Sequence, residues 1–231
     1  GGKSQYDYNR NLAFACNTSV QGGKYLGNIK LKDIQFSHVT VAYDIWRVKH
    51  GVRAANYIAT CLSIVFNTAR RHNALLSNPV SLLDRAKPKP RKVKWTTPQV
   101  KQFLDTAYSN WEWRSIGLIV HMAFHWAQRI GDMRLLEWKA LDLDKGVLDL
   151  EQSKRGADVH LPIQGGLLPM LQQQKEDFGF LPYVAPRVRA RAGVYTPYDD
   201  VEICGLVNSV KEAAGLPDEL TAMDLRRTAI T

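Results

Sequence analysis

The chain has 231 residues, enough for one large or two small domains that each bury a core. Lys and Arg number 31 against 22 Asp and Glu, a formal charge of +9. That balance suits a polyanionic partner such as nucleic acid, and a generically basic protein has the same balance. Cys16, Cys61 and Cys204 are too few and too far apart for a disulfide framework or a metal-ligand spacing, and fit a reducing cytoplasm. No apolar run reaches the ~20 residues of a membrane helix, and the start does not read as a signal peptide. Gly1-Gly2 reads as a remnant or an internal start and is set aside.

Residues 1–24 carry little signal beyond a short helix expected over 11–16, broken at Gln21-Gly22-Gly23. Residues 29–32 alternate and read as a short extended piece. Ser37 is a candidate helix cap; Val41, Ile45 and Val48 behind it share one face, and His50-Gly51 ends the run. A longer helix is predicted over 53–73. Ala54, Ile58, Leu62, Val65 and Ala69 keep the helical period, and Arg53, Asn56, Thr60, Asn67 and Arg70 form the polar side. Asn78-Pro79 stops the next turn, and a short helix over 80–83 closes a small all-helical domain, residues 25–85. Its basic faces suit DNA; for any single charge a solvated surface is the plainer reading.

Residues 86–95, AKPKPRKVKW, hold two prolines and five cations, Lys87, Lys89, Arg91, Lys92 and Lys94. They read as an extended linker, and the same cations would suit a phosphate backbone with salt-sensitive affinity. Thr97-Pro98 opens a second domain, residues 96–231, with Val100, Phe103, Leu104 and Ala107 as the buried face of its first helix. An apolar helix over 116–126 breaks at Gln128-Arg129-Ile130-Gly131-Asp132, where Gly131 can take angles that other residues resist. Met133, Leu135 and Leu136 give the next short helix its apolar side. Arg129, set between two buried elements, needs an anion. Asp132 would supply one internally, and an external anion would serve equally.

After Trp138 the period changes to two. Asp144-Lys145-Gly146 and Arg155-Gly156 mark the turns of a three-stranded antiparallel sheet over about 141–163, with Lys154 at the start of the second turn. Residues 167–175 read as helix. Residues 178–197 read as irregular, with Arg187, Arg189 and Arg191 among three prolines. Residues 198–214 are helical, stopped by Gly215 and Pro217, and the stretch from Leu220 to Thr228 starts another helix. The fold class is mainly α with a small antiparallel β-sheet: a small helical domain, then an α+β domain.

Three cations stand out by context: Arg129 at a helix break, Lys154 at a hairpin turn and Arg226 near a helix start. In this order and on these elements they resemble the tyrosine recombinase, or phage integrase, family. That family's first box reads roughly T-G-x-R-x-G-E before a Leu-rich helix and a Trp. Here it is Trp126-Ala127-Gln128-Arg129-Ile130-Gly131-Asp132, then Leu135-Leu136-Glu137-Trp138. The family's sheet lysine precedes a Thr-Gly, here Lys154-Arg155-Gly156. Its second box, H-x-L-R-R-T, is here Met223-Asp224-Leu225-Arg226-Arg227-Thr228. The resemblance spans about residues 25–231, so that 25–85 corresponds to a core-binding domain and 96–231 to a catalytic domain that stops before the nucleophile.

The resemblance implies site-specific cutting and rejoining of double-stranded DNA through a 3′-phosphotyrosyl intermediate, with no cofactor and no metal, by a protein that self-associates on DNA, as a tetramer in the family. It implies that Arg129 and Arg226 clamp the scissile phosphate, that Lys154 protonates the leaving 5′-oxygen, and that Asp132 orients Arg129. It places the protein on DNA in a prokaryotic or phage-host cytoplasm, with no membrane. Two departures stand against the pattern. Met223 occupies the family's His position and cannot move protons. No tyrosine follows Arg226, since Tyr183, Tyr195 and Tyr198 all precede it; a nucleophile segment lying outside these residues is the expectation. His121, His125 and His160 read as ordinary core or surface histidines. The alternatives are a non-catalytic DNA-binding protein on a decayed recombinase fold, and a basic protein that binds RNA or DNA without sequence preference.

Overall fold

The structure, a computed structural model, describes residues 2–151, 156, 158–163 and 165–229. It forms two compact units, Gly1–Arg91 and Lys92–Thr231.

The first unit is two helices packed together, α1 (Gly2–Cys16) and α2 (Phe36–Arg71), joined by single 3₁₀ turns. Its core is Ala15, Leu26, Val39, Trp46, Ile58 and Phe66 with their neighbours. α1 is much longer than the helix expected over 11–16. Its first half has no apolar period and is exposed almost throughout, with the Tyr8 ring stacked on Tyr57 of α2 at 6.2 Å. Leu31–Asp33 is a 3₁₀ turn, not an extended piece. As the His50-Gly51 stop predicts, α2 is two helices, 36–50 and 52–71, that meet at Gly51, whose φ of 78° and ψ of 166° are not helical. The cap is Gln35 rather than Ser37: Gln35 and His38 bond reciprocally across the first turn. The buried stripe of the second half is Ala55, Ile58, Ala59, Leu62 and Phe66; Val65 is exposed, as is Val48 before the bend. Residues 80–83 are turns rather than a helix, closed by bonds from Ser81 to Asn78 and from Leu83 to Val80.

Residues 83–96 carry neither helix nor strand. They are nevertheless not a loose tether. The Asn56 amide donates to the Ala86 carbonyl at 2.9 Å, Ala86 N–H donates to the Tyr43 hydroxyl at 2.9 Å, and Arg53 reaches the Lys89 carbonyl at 3.3 Å. The strap therefore runs along α2 through its backbone, leaving Lys87 and Lys89 exposed.

The second unit is built on α4 (Arg114–His125), which is buried nearly all round through Ile116, Leu118, Ile119, Val120, Met122 and Ala123. Packed against it are α3 (Thr97–Tyr108), the short α5 (Ile130–Met133), α6 (Leu167–Phe178), α7 (Asp200–Ala213) and α8 (Ala222–Ala229). Gly117 allows the close approach of α3, since a Cβ there would lie 2.8 Å from the Ala107 Cβ. The strands β1 (Leu141–Asp142), β2 (Val147–Glu151) and β3 (Asp158–Pro162) form one antiparallel sheet in the order β1-β2-β3, with Leu148 opposite Leu161. The first turn has Gly146 at φ 64°, and the Asp142 carboxylate accepts from Lys145 N–H. The mainly α fold with one small antiparallel sheet is as read from the sequence. Among the described residues no helix is long and apolar enough to cross a membrane.

Candidate functional site

α4 ends in a Schellman motif. Gln128 N–H returns to the Ala123 carbonyl at 3.1 Å and Ala127 N–H to Phe124 at 3.3 Å, which requires the intervening residue to be left-handed. That residue is Ala127, at φ 51°. Gly131, expected to supply the unusual angle, lies inside α5 and is absent from the left-handed positions. The reversal leaves Arg129 as the N-terminal cap residue of α5, with its side chain 28% exposed. Its Nη1 lies 3.4 Å from Oδ2 of Asp132, whose side chain is only 3% exposed. The internal salt bridge foreseen at this break is thus present, and it leaves the guanidinium partly open to solvent. Met133 and Leu136 are buried below it, whereas Leu135, expected on the same apolar side, is 44% exposed.

α8 presents the second arginine. Its start is tied by one carboxylate: Thr221 N–H and Oγ1 both donate to Asp224, at 3.1 and 2.7 Å, and that carboxylate is 1% exposed. Leu225 is fully buried and fixes the roll of the helix. The two adjacent arginines then separate. Arg227 pairs with Asp224 at 3.5 Å and donates to the Val93 carbonyl, while Arg226 is half-buried with no ion pair or hydrogen bond among the described residues. Met223 is 87% exposed. The break carrying Arg129 and the helix carrying Arg226 both pack on α4.

Lys154 and Arg155 lie outside the described residues. The described strands are tied to the Arg129 region through one carbonyl: the Trp126 ring N–H donates to Pro162 O at 3.0 Å, and the His125 ring bonds the same group. Burial lowers the pKa of His125 against that bond. His121, one turn earlier, is lowered to about 4, by burial first and the His125 charge second, and its Nδ1 lies 3.0 Å from the Tyr108 hydroxyl. His160 is exposed beside Asp149, at 2.5 Å. Of the proposed strap cations, Lys87, Lys89 and Arg91 belong to the first unit and Lys92 and Lys94 to the second. Among the described residues no three His, Cys, Asp or Glu side chains cluster as a metal site.

Arg187 is a structural cation within the irregular 178–197 stretch. It is 8% exposed and makes a two-pronged pair with Glu202, with Thr196 Oγ1 and the Pro197 carbonyl as further acceptors.

No family model matches the chain. Among curated proteins, the integrase of Enterobacteria phage 434 is 26% identical over 137 residues, which cover 59% of this chain and 37% of that protein. The integrase of Escherichia phage lambda matches at the same identity and coverage. The chain therefore spans under two-fifths of the length of these relatives. Among solved structures, a lambda integrase dimer bound to a COC′ core site superposes with a TM-score of 0.77 at 20% identity, over 99% of this chain and 63% of that one. A lambda integrase tetramer bound to a Holliday junction gives 0.77 and 20%, over 99% and 66%. The Tn1549 transposon integrase in complex with circular intermediate DNA gives 0.68 and 17%, over 88% and 74%.

The chain is similar in sequence to phage integrases and has the fold of the integrases solved on DNA.

The left-handed residue Ala127 stands where the first box quoted above has Gly. Trp126, where that box has Thr, donates to the Pro162 carbonyl of β3. The sequence did not reveal the bonds that Trp126, Asp224 and Trp95 make. Asp224 was readable, because Thr221-x-x-Asp224 ahead of a helix is a capping pattern. The bond of Trp126 to Pro162 spans 36 residues and leaves no local signature.

Proposed function

We propose that this chain is the DNA-binding and phosphate-gripping part of a site-specific recombinase that cuts and rejoins double-stranded DNA. The observation that carries the reading is the arginine pair. Arg129 is braced by a buried carboxylate at a helix reversal, Arg226 has no ion pair or hydrogen bond among the described residues, and both elements rest on the same core helix. Guanidiniums fixed in advance are suited to the charge that builds on the non-bridging oxygens of a phosphodiester under in-line attack. The integrases bound to core-site and junction DNA have the same fold, which supports duplex DNA as the partner and self-association on it.

In this reading a tyrosine hydroxyl attacks the phosphorus, the bond to the 5′-oxygen breaks, and a 3′-phosphotyrosyl ester stores the bond for rejoining. Lys154 gives its proton to the leaving oxygen. Asp132 holds Arg129 in place without touching the substrate. Met223 takes no proton, so whatever the family's His contributes at this position comes from elsewhere. Lys87, Lys89, Arg91, Lys92 and Lys94 meet the phosphate backbone along the strap.

The test uses the full-length protein and a nicked duplex selected from a random library by binding. A covalent protein–DNA adduct is expected. Arg226→Ala should reduce its rate by about 10²–10³-fold, and duplex affinity should change little because one phosphate contact is lost among many. If affinity collapses instead, Arg226 serves the fold. Tight binding with no adduct from the unaltered protein would select the second reading, a non-catalytic DNA-binding protein, which the exposed Met223 favours.

A further inference from the structure

The strap that carries Lys92 and Lys94 also splints the helix that carries Arg226. Residues 92–95 alternate, with Lys92 and Lys94 exposed, Val93 half-buried and Trp95 2% exposed. The inward side grips α8 at both ends. The Trp95 ring N–H donates to the Thr221 carbonyl, just before the helix, at 3.0 Å. The Trp95 backbone N–H donates to Thr228 Oγ1, near its end, at 2.9 Å. Arg227 donates back to the Val93 carbonyl at 3.3 Å. The indole is itself immobilised, edge-on to Phe103 of α3 with ring centroids 5.6 Å apart.

α8 has eight residues, too few to be stable as an isolated helix. Its placement is therefore set by what holds it. Leu225 holds one face against α4, and Trp95 fixes the two ends along the helix axis. The alternation has a further consequence: a phosphate drawn to Lys92 or Lys94 pulls on the same four residues whose other side carries α8.

We propose that Trp95 is a positioning residue for Arg226, and that a DNA backbone seated on Lys92 and Lys94 tightens α8 through it. The hydrogen-bonded splint stands on the geometry alone, whereas its consequence for cleavage rests on the recombinase reading above.

The test combines amide exchange of α8 in this chain, with and without the selected duplex, and single-turnover cleavage by the full-length protein. Trp95→Phe keeps the packing and removes the ring donor. It should speed α8 exchange by about fivefold, slow cleavage of bound duplex by at least that factor, and leave duplex affinity within about twofold. Thr228→Val, which removes the other acceptor, should do the same. Duplex should slow α8 exchange in the unaltered chain, and less so when Lys92→Ala and Lys94→Ala are combined. Unchanged α8 exchange in both Trp95→Phe and Thr228→Val overturns the splint. Faster exchange with unchanged cleavage overturns the positioning role, and equal duplex protection in the lysine double variant overturns the coupling. An unaltered protein that binds and never cleaves refutes the recombinase reading, and the exchange measurements still decide the splint.

Discussion

His121 shows how one residue's surroundings become a property of the whole fold. Its ring sits beside the Tyr108 hydroxyl, with the His125 ring 6.4 Å away, and its pKa is lowered to about 4 by burial and then by His125. His125 is lowered in the same direction. A lowered folded pKa means that the unfolded chain binds more protons between about pH 4 and the ordinary histidine value near 6.5, so stability rises with pH across that window and is lost as pH falls through it. The effect should be on the order of 2 kcal/mol after allowing for the ring's partial exposure. Urea midpoints taken from about pH 7 down to about pH 5 should fall in the unaltered chain and fall less in His121→Gln. Equal slopes would mean that His121 titrates normally. At this scale the sequence was informative about charge and silent about setting. Arg129 was recognisable from its break, its carboxylate partner lies three residues on, and both are where the sequence put them. The histidines differ because the Tyr108 that meets His121 comes from another helix, 13 residues away, and nothing local announces it.

Elements were legible where their signals are local. The D-K-G turn, the Thr97-Pro98 start and the Gly215 stop each mark an element boundary that the structure has, within two residues. Signals failed elsewhere. The first half of α1 is exposed almost throughout and has no apolar stripe for the sequence to show, whereas the break at Gly51 was legible and both halves of α2 contribute to one core. The reversal between α4 and α5 failed for a subtler reason: the glycine in view, Gly131, was not the residue under demand. Ala127 carries the left-handed angle, which costs a non-glycine residue roughly 1–2 kcal/mol. Ala127→Gly removes that cost and gives back part of it through the freer unfolded chain. The net result should be a gain of about 0.5–1 kcal/mol, seen as a melting temperature raised by roughly 2 °C. A lower melting temperature would show that the Ala127 methyl group contributes packing that outweighs its backbone strain. Whether the same change alters cleavage is a separate matter, since Arg129 begins two residues later and a looser reversal would let its guanidinium wander.

For the whole molecule the governing quantity is the formal charge of +9, and the question is where a polyanion meets it. Net charge alone predicts only that binding weakens with salt; it does not say which cations do the binding. The strap makes the question answerable, because its backbone is fixed on each unit by bonds that do not involve the lysine side chains. Lys87 and Lys89 project from a segment anchored to Asn56, Tyr43 and Arg53, and Lys92 and Lys94 from a segment anchored to α8. Neutralising a lysine there removes a charge without breaking these backbone bonds, so a change in DNA binding would report a lost phosphate contact. Each such contact releases counterions and contributes about 0.9 to the slope of log affinity against log salt. Replacing Lys87, Lys89 and Arg91 by Gln should therefore lower that slope by up to roughly 3, and replacing Lys92 and Lys94 by up to about 2, when titrations are run from about 50 to 200 mM salt. Because these are backbone contacts, the loss should be the same for the selected duplex and for an unrelated one. A slope unchanged in either set would confine that half of the strap to holding its own unit together. A loss confined to the selected duplex would instead assign those side chains to base edges, which is a different interface.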